Sequence, residues 1–489
     1  MTRRPAAWLR RVPSAAWTCG VVACVSAVCW SIITPPFQVP DEPDHVAYVQ
    51  DLAETGRLPT SSARAEFSTR EINALNGLHQ GLVRFSPQFP AIASVAEQRV
   101  LEHDLALPHP SGEYVSAGLA AGEPPLFYAL EVIPYAVGSG GTLLDSVQLM
   151  RLLSAFMAGL TALFTFLFVR ETLPGAAWAW TVGALGVALT PSLGFISGGV
   201  NPESMLIAIS AALFCTLARA FRRGFTPRLA IAIGLVTATG FLTKLNFIGF
   251  APGVFLGLLL LTVRTARITS KRSALIALAI ASSIACAPVL PYLLINVLSG
   301  APGLGAVSLG LRHQAGSVSH GLDYIWQFYL PTLPGMKAYF PGIFTTRQLW
   351  FDGFVGNFGW LDTVFPGWVD DFALAPASLI AIFCARGLVA GSSHLRGRAA
   401  ELAVYATMVI GLMILVGADS YITQVSSKGP PYSETRYFLP LLPLMALVLT
   451  LAARGAGRRW GGVAGVLIVV LFFAHDLFSQ LQVVARYYG

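Results

Sequence analysis

The segment Pro40-Asp41-Glu42-Pro43-Asp44-His45 brings three carboxylates and an imidazole together directly after the first long apolar run. Ionisable groups are costly inside hydrocarbon, so this cluster is expected at the water interface of a membrane. Such a set could provide a general base with neighbours that orient it or hold a metal ion. The alternative is a solvated helix start, because acidic residues are common in the first turn of a helix.

Three other positions place ionisable side chains at the ends of apolar runs. Glu203 falls in a turn expected on the same side as Asp41, where it could join a site or only complement a helix dipole. Lys244 could bind a lipid phosphate, or it could be a snorkelling lysine. Arg436 begins a span on the side that the charge rule disfavours, and it therefore needs a partner such as Glu434, a phosphate or a lipid headgroup.

Two segments have both a structural and a functional interpretation. Residues 123–128, Glu-Pro-Pro-Leu-Phe-Tyr, could hold substrate at the interface, but a proline-led helix start with an aromatic anchor is favoured. Residues 351–362 form a set of glycines and aromatic side chains. This set could be part of an acceptor cleft, although such stretches more often fold back on the membrane.

The composition is that of an integral membrane protein. The 489 residues are 55% hydrophobic and 12% charged, with a mean hydropathy of +0.64, whereas soluble proteins carry about 25% charged residues. The net charge of +7 comes from short basic clusters between apolar runs, which is typical of cytoplasmic loops and not of a nucleic-acid surface. All six cysteines lie in apolar runs and are expected to pack without forming disulfides or metal sites.

Apolar runs of spanning length predict about eleven transmembrane helices, since each run is near the ~20 residues that cross a bilayer. They lie near 15–34, 148–169, 175–196, 203–220, 229–244, 247–263, 273–297, 372–390, 400–417, 436–453 and 461–480. The shorter run at 123–138 is expected to lie on the membrane without crossing it. The basic clusters then all fall on one side, which the positive-inside rule assigns to the cytoplasm.

We therefore predict an all-α polytopic protein of the cell membrane, with a cytoplasmic N-terminus and its site on the outer face. The predicted parts are a transmembrane module at 1–297 with an outer loop at 35–147, an aromatic-rich outer loop at 298–371, and C-terminal transmembrane helices at 372–489. No phosphate-binding glycine loop is present, so no nucleotide cofactor is expected.

Four motifs in order resemble those of the GT-C glycosyltransferases, which use sugars linked to polyprenyl phosphate. They are Asp41-Glu42, Pro124-Pro125-Leu126-Phe127-Tyr128, Arg151-Leu152-Leu153-Ser154 and Glu203. Arg436-Tyr437 is similar to a late Arg-Tyr element of several such families. The whole chain is most similar to a bacterial family of multi-span membrane proteins of unknown function, with which it shares Pro-Asp-Glu, Phe-Gly-Trp and Arg-Tyr-x-x-Pro patterns.

The resemblance implies an inverting transferase that moves a sugar from a polyprenyl-phosphate donor to a glycan, lipid or protein acceptor. Asp41 is then the base, and Lys244 and Arg436 stabilise the phosphate charge that develops. The remaining substrate-binding candidates are Glu42, Asp44, His45, Glu203 and Tyr437. A divalent cation is left open as a cofactor, membrane lipid is an expected partner, and nucleic acid is not.

Two other classes of function stay open at this point. One is a transporter or flippase for a glycolipid or polysaccharide, and the other is a non-catalytic protein of envelope assembly. Ion-coupled transporters usually place ionisable groups near the membrane midplane. The charged residues of this chain lie mostly at the ends of its apolar runs, which favours chemistry at the membrane surface.

Overall fold

The structure is a computed structural model, and it confirms an all-α polytopic fold in the part of the chain that it describes. The described residues are 12–59, 66–91, 94–107, 113, 115–175, 177–299, 318–336, 338–339, 347–391, 397–427 and 435–489. Within them the strands are limited to one short antiparallel hairpin, in which β1 (Asn357–Phe358) pairs with β2 (Thr363–Val364).

Nineteen α-helices make up the described fold. In chain order they are α1 Ser14–Ile33, α2 Glu42–Thr55, α3 Thr69–Gly77, α4 Gln80–Val83, α5 Val95–Leu105, α6 Leu126–Gly138, α7 Leu143–Thr172, α8 Ala177–Ala188, α9 Pro191–Ser197, α10 Pro202–Arg223, α11 Pro227–Thr243, α12 Ala251–Ile268, α13 Lys271–Ser299, α14 Val318–Tyr329, α15 Gly353–Val355, α16 Gly367–Ala390, α17 Ala399–Ser427, α18 Leu442–Gly455 and α19 Gly457–Tyr488. Short 3₁₀ segments at Gly118–Gly122, Leu245–Phe250 and Thr435–Leu441, and a π-helical turn at Gln348–Asp352, join them.

Nine helices of the described chain are long and apolar enough to cross a membrane, or ten if α8 and α9 form one bent span. The predicted count of about eleven is not confirmed. One reason is α11, which has only 17 residues, and another is the 54° bend between α8 and α9 at Thr190 and Pro191. Helix α6 has 13 residues, about 20 Å at 1.5 Å per residue, which is too short to span.

Local sequence explains where the long helices begin and how closely they approach. Helix α7 starts with a capping box, in which Thr142 and Asp145 satisfy each other's backbone N–H groups. Helix α10 starts after Asn201, whose side chain accepts the Glu203 N–H at 2.9 Å. Where α1 crosses α7, a Cβ on Gly20 would lie 3.0 Å from the Gly159 carbonyl oxygen, so glycine permits this close approach.

Side-chain contacts distinguish two ends of the helix bundle. At one end, Glu171 contacts Arg219, Arg222 and Arg223 at 3.1, 3.2 and 2.5 Å. At the other end, helices α2 to α6 form a layer over the start of α7, with buried aromatic side chains such as Tyr48 and Tyr128 in its core. We call these the arginine end and the acidic end. Among the basic clusters that the sequence places on this side, residues 3, 4, 10, 11 and 396 lie outside the described residues.

Candidate active site

Asp41 stands in a tight turn between α1 and α2. Its backbone is left-handed, with φ 63°, and it occupies the N-cap position of α2. Asp tolerates this conformation better than most residues, because its short polar side chain can hydrogen-bond locally. Its side chain is 42% exposed and accepts a hydrogen bond from Arg436 Nη2 at 2.6 Å. The turn therefore presents one accessible carboxylate, already paired with a cation.

Arg436 links two acids that are far apart in sequence. It lies in the 3₁₀ segment before α18, and its side chain is only 6% exposed. While its Nη2 contacts Asp41, its Nε lies 3.6 Å from Glu203 Oε1. The guanidinium also lies 5.2 Å from the ring centroid of Tyr437, and its Nη2 is 3.4 Å from the Tyr437 hydroxyl. Tyr437 thus covers one side of Arg436 at the site.

Glu203 and Lys244 form the inner part of the cluster. Lys244 caps the end of α11, and its Nζ lies 3.3 Å from Glu203 Oε1 and 3.7 Å from Glu123 Oε1. Both Lys244 and Glu203 are buried, so Lys244 does not snorkel to water. Burial by itself lowers the pKa of Lys244, but the carboxylates of Glu203 and Glu123 raise it above its ordinary value. The ammonium is therefore charged at physiological pH.

The ionisation of Asp41 is set by its neighbours. Burial tends to raise the pKa of this carboxyl, but the adjacent positive charges, Arg436 first among them, outweigh burial and lower the pKa below its usual range. Asp41 is thus a carboxylate at neutral pH. In this state it can accept a proton, but its basicity is weak as long as Arg436 stays paired with it.

His45 is a buried neighbour of the cluster. Its Nδ1 lies 3.0 Å from the hydroxyl of Tyr128, whose ring stacks on Tyr48 with centroids 3.6 Å apart. Burial and the charge of Lys244 lower the pKa of His45 to about 3, so the ring is neutral at physiological pH. Its Nε2 is buried and has no hydrogen-bond partner among the described residues. His45 supports the site with a neutral imidazole.

Asp44 lies in the first turn of α2. Unlike Asp41, it is affected mainly by burial and by a neighbouring negative charge. Burial, and next the negative charge of Asp41, raise the pKa of Asp44 to about 7. Behind it lies Glu71, which is fully buried and whose pKa is raised well above normal by burial and by Asp44. Asp44 and Glu71 therefore hold protons much more readily than Asp41 does.

Glu42 was predicted to bind substrate, but its side chain points away from the other candidate residues and towards Arg151. Its side chain is fully buried, and both oxygens are bonded to Arg151, at 2.7 and 2.6 Å. The same oxygens accept the N–H groups of Phe37, at 2.7 Å, and Val200, at 2.9 Å. With its acceptor capacity taken up in this way, Glu42 fixes the turn that carries Asp41.

Arg151 completes this lock on the Asp41 turn. It donates to the carbonyl oxygens of Ser31, Thr34 and Pro35 at 3.0, 2.7 and 3.0 Å. From the far side, Trp360 Nε1 donates to the Phe37 carbonyl at 3.0 Å. Phe37 itself has a left-handed backbone, with φ 66°. A strained turn of this kind persists only where surrounding contacts over-determine it, as they do here.

The aromatic-rich segment adds a wall to the site. A small cavity beside Arg436 and Pro40 is also lined by Asn357, Leu361 and Thr435. The Oδ1 atom of Asn357 is buried and has no hydrogen-bond partner among the described residues. The segment at 351–362 therefore reaches the cluster, where it adds one polar atom to the wall of the cavity.

A metal site receives no support from this geometry. In the described parts of the chain, no group of three or more His, Cys, Asp or Glu side chains is placed to hold a metal ion. The carboxylates of Asp41 and Glu203 instead face Arg436 and Lys244. This donor set does not fit a divalent cation, because side-chain cations already neutralise both carboxylates.

The family model described as predicted membrane protein (DUF2142) matches residues 24–445. The chain belongs to this family. The family identified from the Pro-Asp-Glu, Phe-Gly-Trp and Arg-Tyr-x-x-Pro patterns is thereby confirmed, and together with the apolar helices of this chain it supports a multi-pass membrane protein. The search of the curated proteins finds no significant match to the chain.

Two solved structures of the oligosaccharyltransferase of the archaeon Archaeoglobus fulgidus are similar to this family member. One, AglB in complex with an inhibitory peptide and a dolichol-phosphate, has a TM-score of 0.42 at 12% identity. The other, tethered to an acceptor peptide containing an NVT sequon, has a TM-score of 0.40 at 11% identity. In both cases 96% of this chain is covered, and the chain spans 55% of the length of the solved protein.

Three site residues were not among the predicted ones, although sequence signals pointed to them. Arg151 begins the Arg-Leu-x-Ser motif, and Glu123 and Tyr128 bound the proline-led segment. In the structure Arg151 holds Glu42, Glu123 holds Lys244, and Tyr128 holds His45. The two motifs pointed to these residues, but their partners could not be predicted because the partners are far away in the sequence.

Proposed function

We propose that this protein is a GT-C-type glycosyltransferase. It moves a sugar from a polyprenyl-phosphate carrier to an acceptor hydroxyl at the outer face of the cell membrane. The observation that carries the proposal is the convergence of four ionisable side chains from four separate elements. They are Asp41, Glu203, Lys244 and Arg436. The cluster combines an accessible carboxylate with two buried cations, as transfer from a phosphate-linked donor requires.

The reaction is a displacement at the anomeric carbon of the donor sugar. The acceptor hydroxyl transfers its proton to the Asp41 carboxylate while its oxygen forms the new bond to the anomeric carbon. The bond from that carbon to the phosphate oxygen breaks, and polyprenyl phosphate leaves with the electron pair. Attack opposite to the leaving group inverts the configuration. The leaving group is already a phosphate, so no nucleotide takes part.

Donor binding would switch Asp41 from a paired carboxylate to a working base. In the structure Arg436 Nη2 lies 2.6 Å from Asp41 Oδ2 and lowers the pKa of Asp41. A donor phosphate competes for the same guanidinium, since Arg binds phosphate and carboxylate through similar bidentate geometry. The phosphate neutralises Arg436 and brings negative charge close to Asp41, which raises the proton affinity of Asp41. The base is therefore activated when the donor is in place.

Lys244 and Arg436 would stabilise the negative charge that develops on the leaving phosphate. Both are buried, and fixed charges in a site with little water act more strongly than in bulk water. Glu203 and Glu123 hold Lys244 in position at 3.3 and 3.7 Å. Positioning of this kind avoids reorganisation during the reaction.

The acceptor would approach from the side of Asp41 that is exposed. Next to Pro40 and Arg436, the segment around Asn357 and Leu361 forms the wall of a small cavity. The buried Asn357 Oδ1 is available to accept a hydrogen bond from a hydroxyl group. A hydroxyl-rich acceptor, such as a glycan or glycolipid headgroup, suits this wall.

The experiment is donor turnover in proteoliposomes that contain the full chain, a panel of labelled polyprenyl-phosphate sugars and a membrane extract as acceptor source. We expect release of polyprenyl phosphate from at least one donor, and a loss of about 10²–10³-fold on Lys244→Gln. Lys271→Gln is the matched control, since it removes an exposed lysine at the start of α13, away from the cluster. Failure of every donor to turn over, or equal rates for the wild type and Lys244→Gln, would contradict the proposal.

A further inference from the structure

We infer that the arginine end of the bundle carries a binding site for one anionic phospholipid, in an open groove between the starts of α8 and α19. The groove lies far from Asp41 in the sequence and at the opposite end of α18 from Arg436. It is lined by Trp178, Arg458, Arg459, Val463, Val466 and Leu467, and its volume is about 630 Å³. The site goes beyond the proposed transfer reaction and does not depend on it.

Two glycines of α19 lie against the ring of Trp178, which lines the groove. A Cβ on Gly461 would lie 3.3 Å from the Trp178 ring, and one on Gly465 would lie 3.0 Å from it. Only glycine allows the indole to lie this close to the helix backbone. Trp178 is nevertheless 46% exposed, so one part of the ring rests on the helix and the other faces the groove. Tryptophan with one wet end is typical of the membrane interface.

Charge makes the mouth of the groove selective for an anion. Arg458 and Arg459 occupy the first turn of α19, a turn without any acidic residue. The N-terminus of a helix carries partial positive charge, so two arginines there oppose the helix dipole and favour a bound anion. Arg386 adds a third cation, because its Nη2 would lie 3.8 Å from a Cβ on Gly457. Among the described residues, none of these three arginines has an acidic partner.

A second arginine cluster at this end is different. Arg219, Arg222 and Arg223 all contact the carboxylate of Glu171 within 3.2 Å. Their charge is partly neutralised inside the protein. The first turn of α19 differs in that its arginines have no acidic partner among the described residues, and it adjoins the apolar wall of the groove.

The shape of the site favours a lipid over a free phosphate. Val463, Val466 and Leu467 continue from the arginines along α19, and their exposed fractions are 49%, 63% and 62%. A ligand with an anionic head and a long apolar chain matches a cationic mouth followed by an apolar wall. Because the arginine end is predicted to face the cytoplasm, the lipid belongs to the inner leaflet.

Native mass spectrometry of the full chain in detergent, titrated with phosphatidylglycerol or phosphatidylcholine, tests the site. We expect one phosphatidylglycerol to bind at least tenfold more tightly than phosphatidylcholine. The double variant Arg458→Gln/Arg459→Gln should weaken phosphatidylglycerol binding by about 10–30-fold, as expected for two arginines near a membrane surface. The matched control is Arg267→Gln/Arg272→Gln, which removes two exposed arginines at the same end but outside the groove.

A second pair of measurements separates the lipid from free phosphate. Val463→Ser/Val466→Ser should weaken phosphatidylglycerol binding several-fold, and inorganic phosphate at equal concentration should not displace the lipid. Thermal unfolding of each variant checks that it is folded. The inference is overturned if the two arginine double variants weaken binding equally, if phosphatidylcholine binds as tightly, or if inorganic phosphate displaces the lipid completely.

Discussion

Asp41 and Glu42 are adjacent acids, each paired with an arginine, yet the two ion pairs differ in almost every physical respect. The Glu42–Arg151 pair is fully buried and bidentate. In the Asp41–Arg436 pair a single contact at 2.6 Å joins a buried arginine to a carboxylate that is 42% exposed. The first pair consumes its hydrogen-bonding capacity internally, and the second keeps acceptor capacity for a ligand. Of two adjacent carboxylates, one is therefore used up in holding the turn and the other stays accessible.

Removing Arg151, the buried partner of Glu42, should produce the largest loss of stability. Arg151→Met leaves Glu42 as an uncompensated buried charge and frees three carbonyl groups of the Asp41 turn. Breaking a buried pair in this way typically costs about 3–5 kcal/mol of unfolding free energy. Thermal unfolding in detergent measures the loss, with Arg170→Met on the same helix as the control. Equal unfolding temperatures for the Arg151 variant and wild type would show that the two pairs do not differ as described.

Arg436→Lys sharpens the comparison on the exposed side. Lysine keeps the charge but lacks the planar fork with which Arg436 reaches both Asp41 and Glu203. We expect donor turnover to fall by about 10²-fold, with only a small change in unfolding temperature. Arg347→Lys provides the control, because Arg347 also bridges two acids, Asp352 and Asp371, but on the surface. A stability loss as large as that of Arg151→Met would mean that Arg436 is primarily structural.

Asp44→Asn tests the charge environment next to the Asp41–Arg436 pair, through the pH dependence of the unfolding temperature. The pKa of Asp44 is about 7 in the folded protein, above the ordinary value near 3.9 of an unfolded chain. Ionising Asp44 therefore destabilises the fold increasingly as pH rises from about 4 to 7. The variant should unfold a few degrees higher than wild type at pH 8, and at nearly the same temperature at pH 4. A constant difference across this range would contradict the assignment.

Trp360→Phe should give the smallest effect. It removes the hydrogen bond from Trp360 Nε1 to the Phe37 carbonyl while keeping an aromatic ring on the turn. Loss of one such bond costs about 0.5–1.5 kcal/mol, and we expect turnover to fall a few-fold as the Asp41 turn loosens. Trp368→Phe, at an exposed position on α16, is the control. Full activity of Trp360→Phe would show that the Glu42–Arg151 lock alone fixes the turn.

Sequence reasoning predicted the all-α membrane fold and grouped four side chains that contact one another in the structure. Asp41, Glu203, Lys244 and Arg436 could be grouped because topology places them at the same end of different spans. The opposite orientation of Asp41 and Glu42 could not be predicted, since it depends on a left-handed turn held by Arg151, more than 100 residues away. The number of spans was harder to predict, because hydropathy does not reveal the bend at Pro191 or the short length of α11.

The most direct test compares Asp41→Asn with Glu42→Gln in one reconstituted preparation, with donor turnover and thermal unfolding measured on each. Asp41→Asn should unfold near the wild-type temperature, because Arg436 still faces Glu203, while its turnover falls by about 10²–10⁴-fold through loss of the base. Glu42→Gln should unfold at a markedly lower temperature, since Arg151 then lies buried without its counter-charge. Turnover near the wild-type rate for Asp41→Asn, at equal amounts of reconstituted protein, would contradict the proposed role of Asp41.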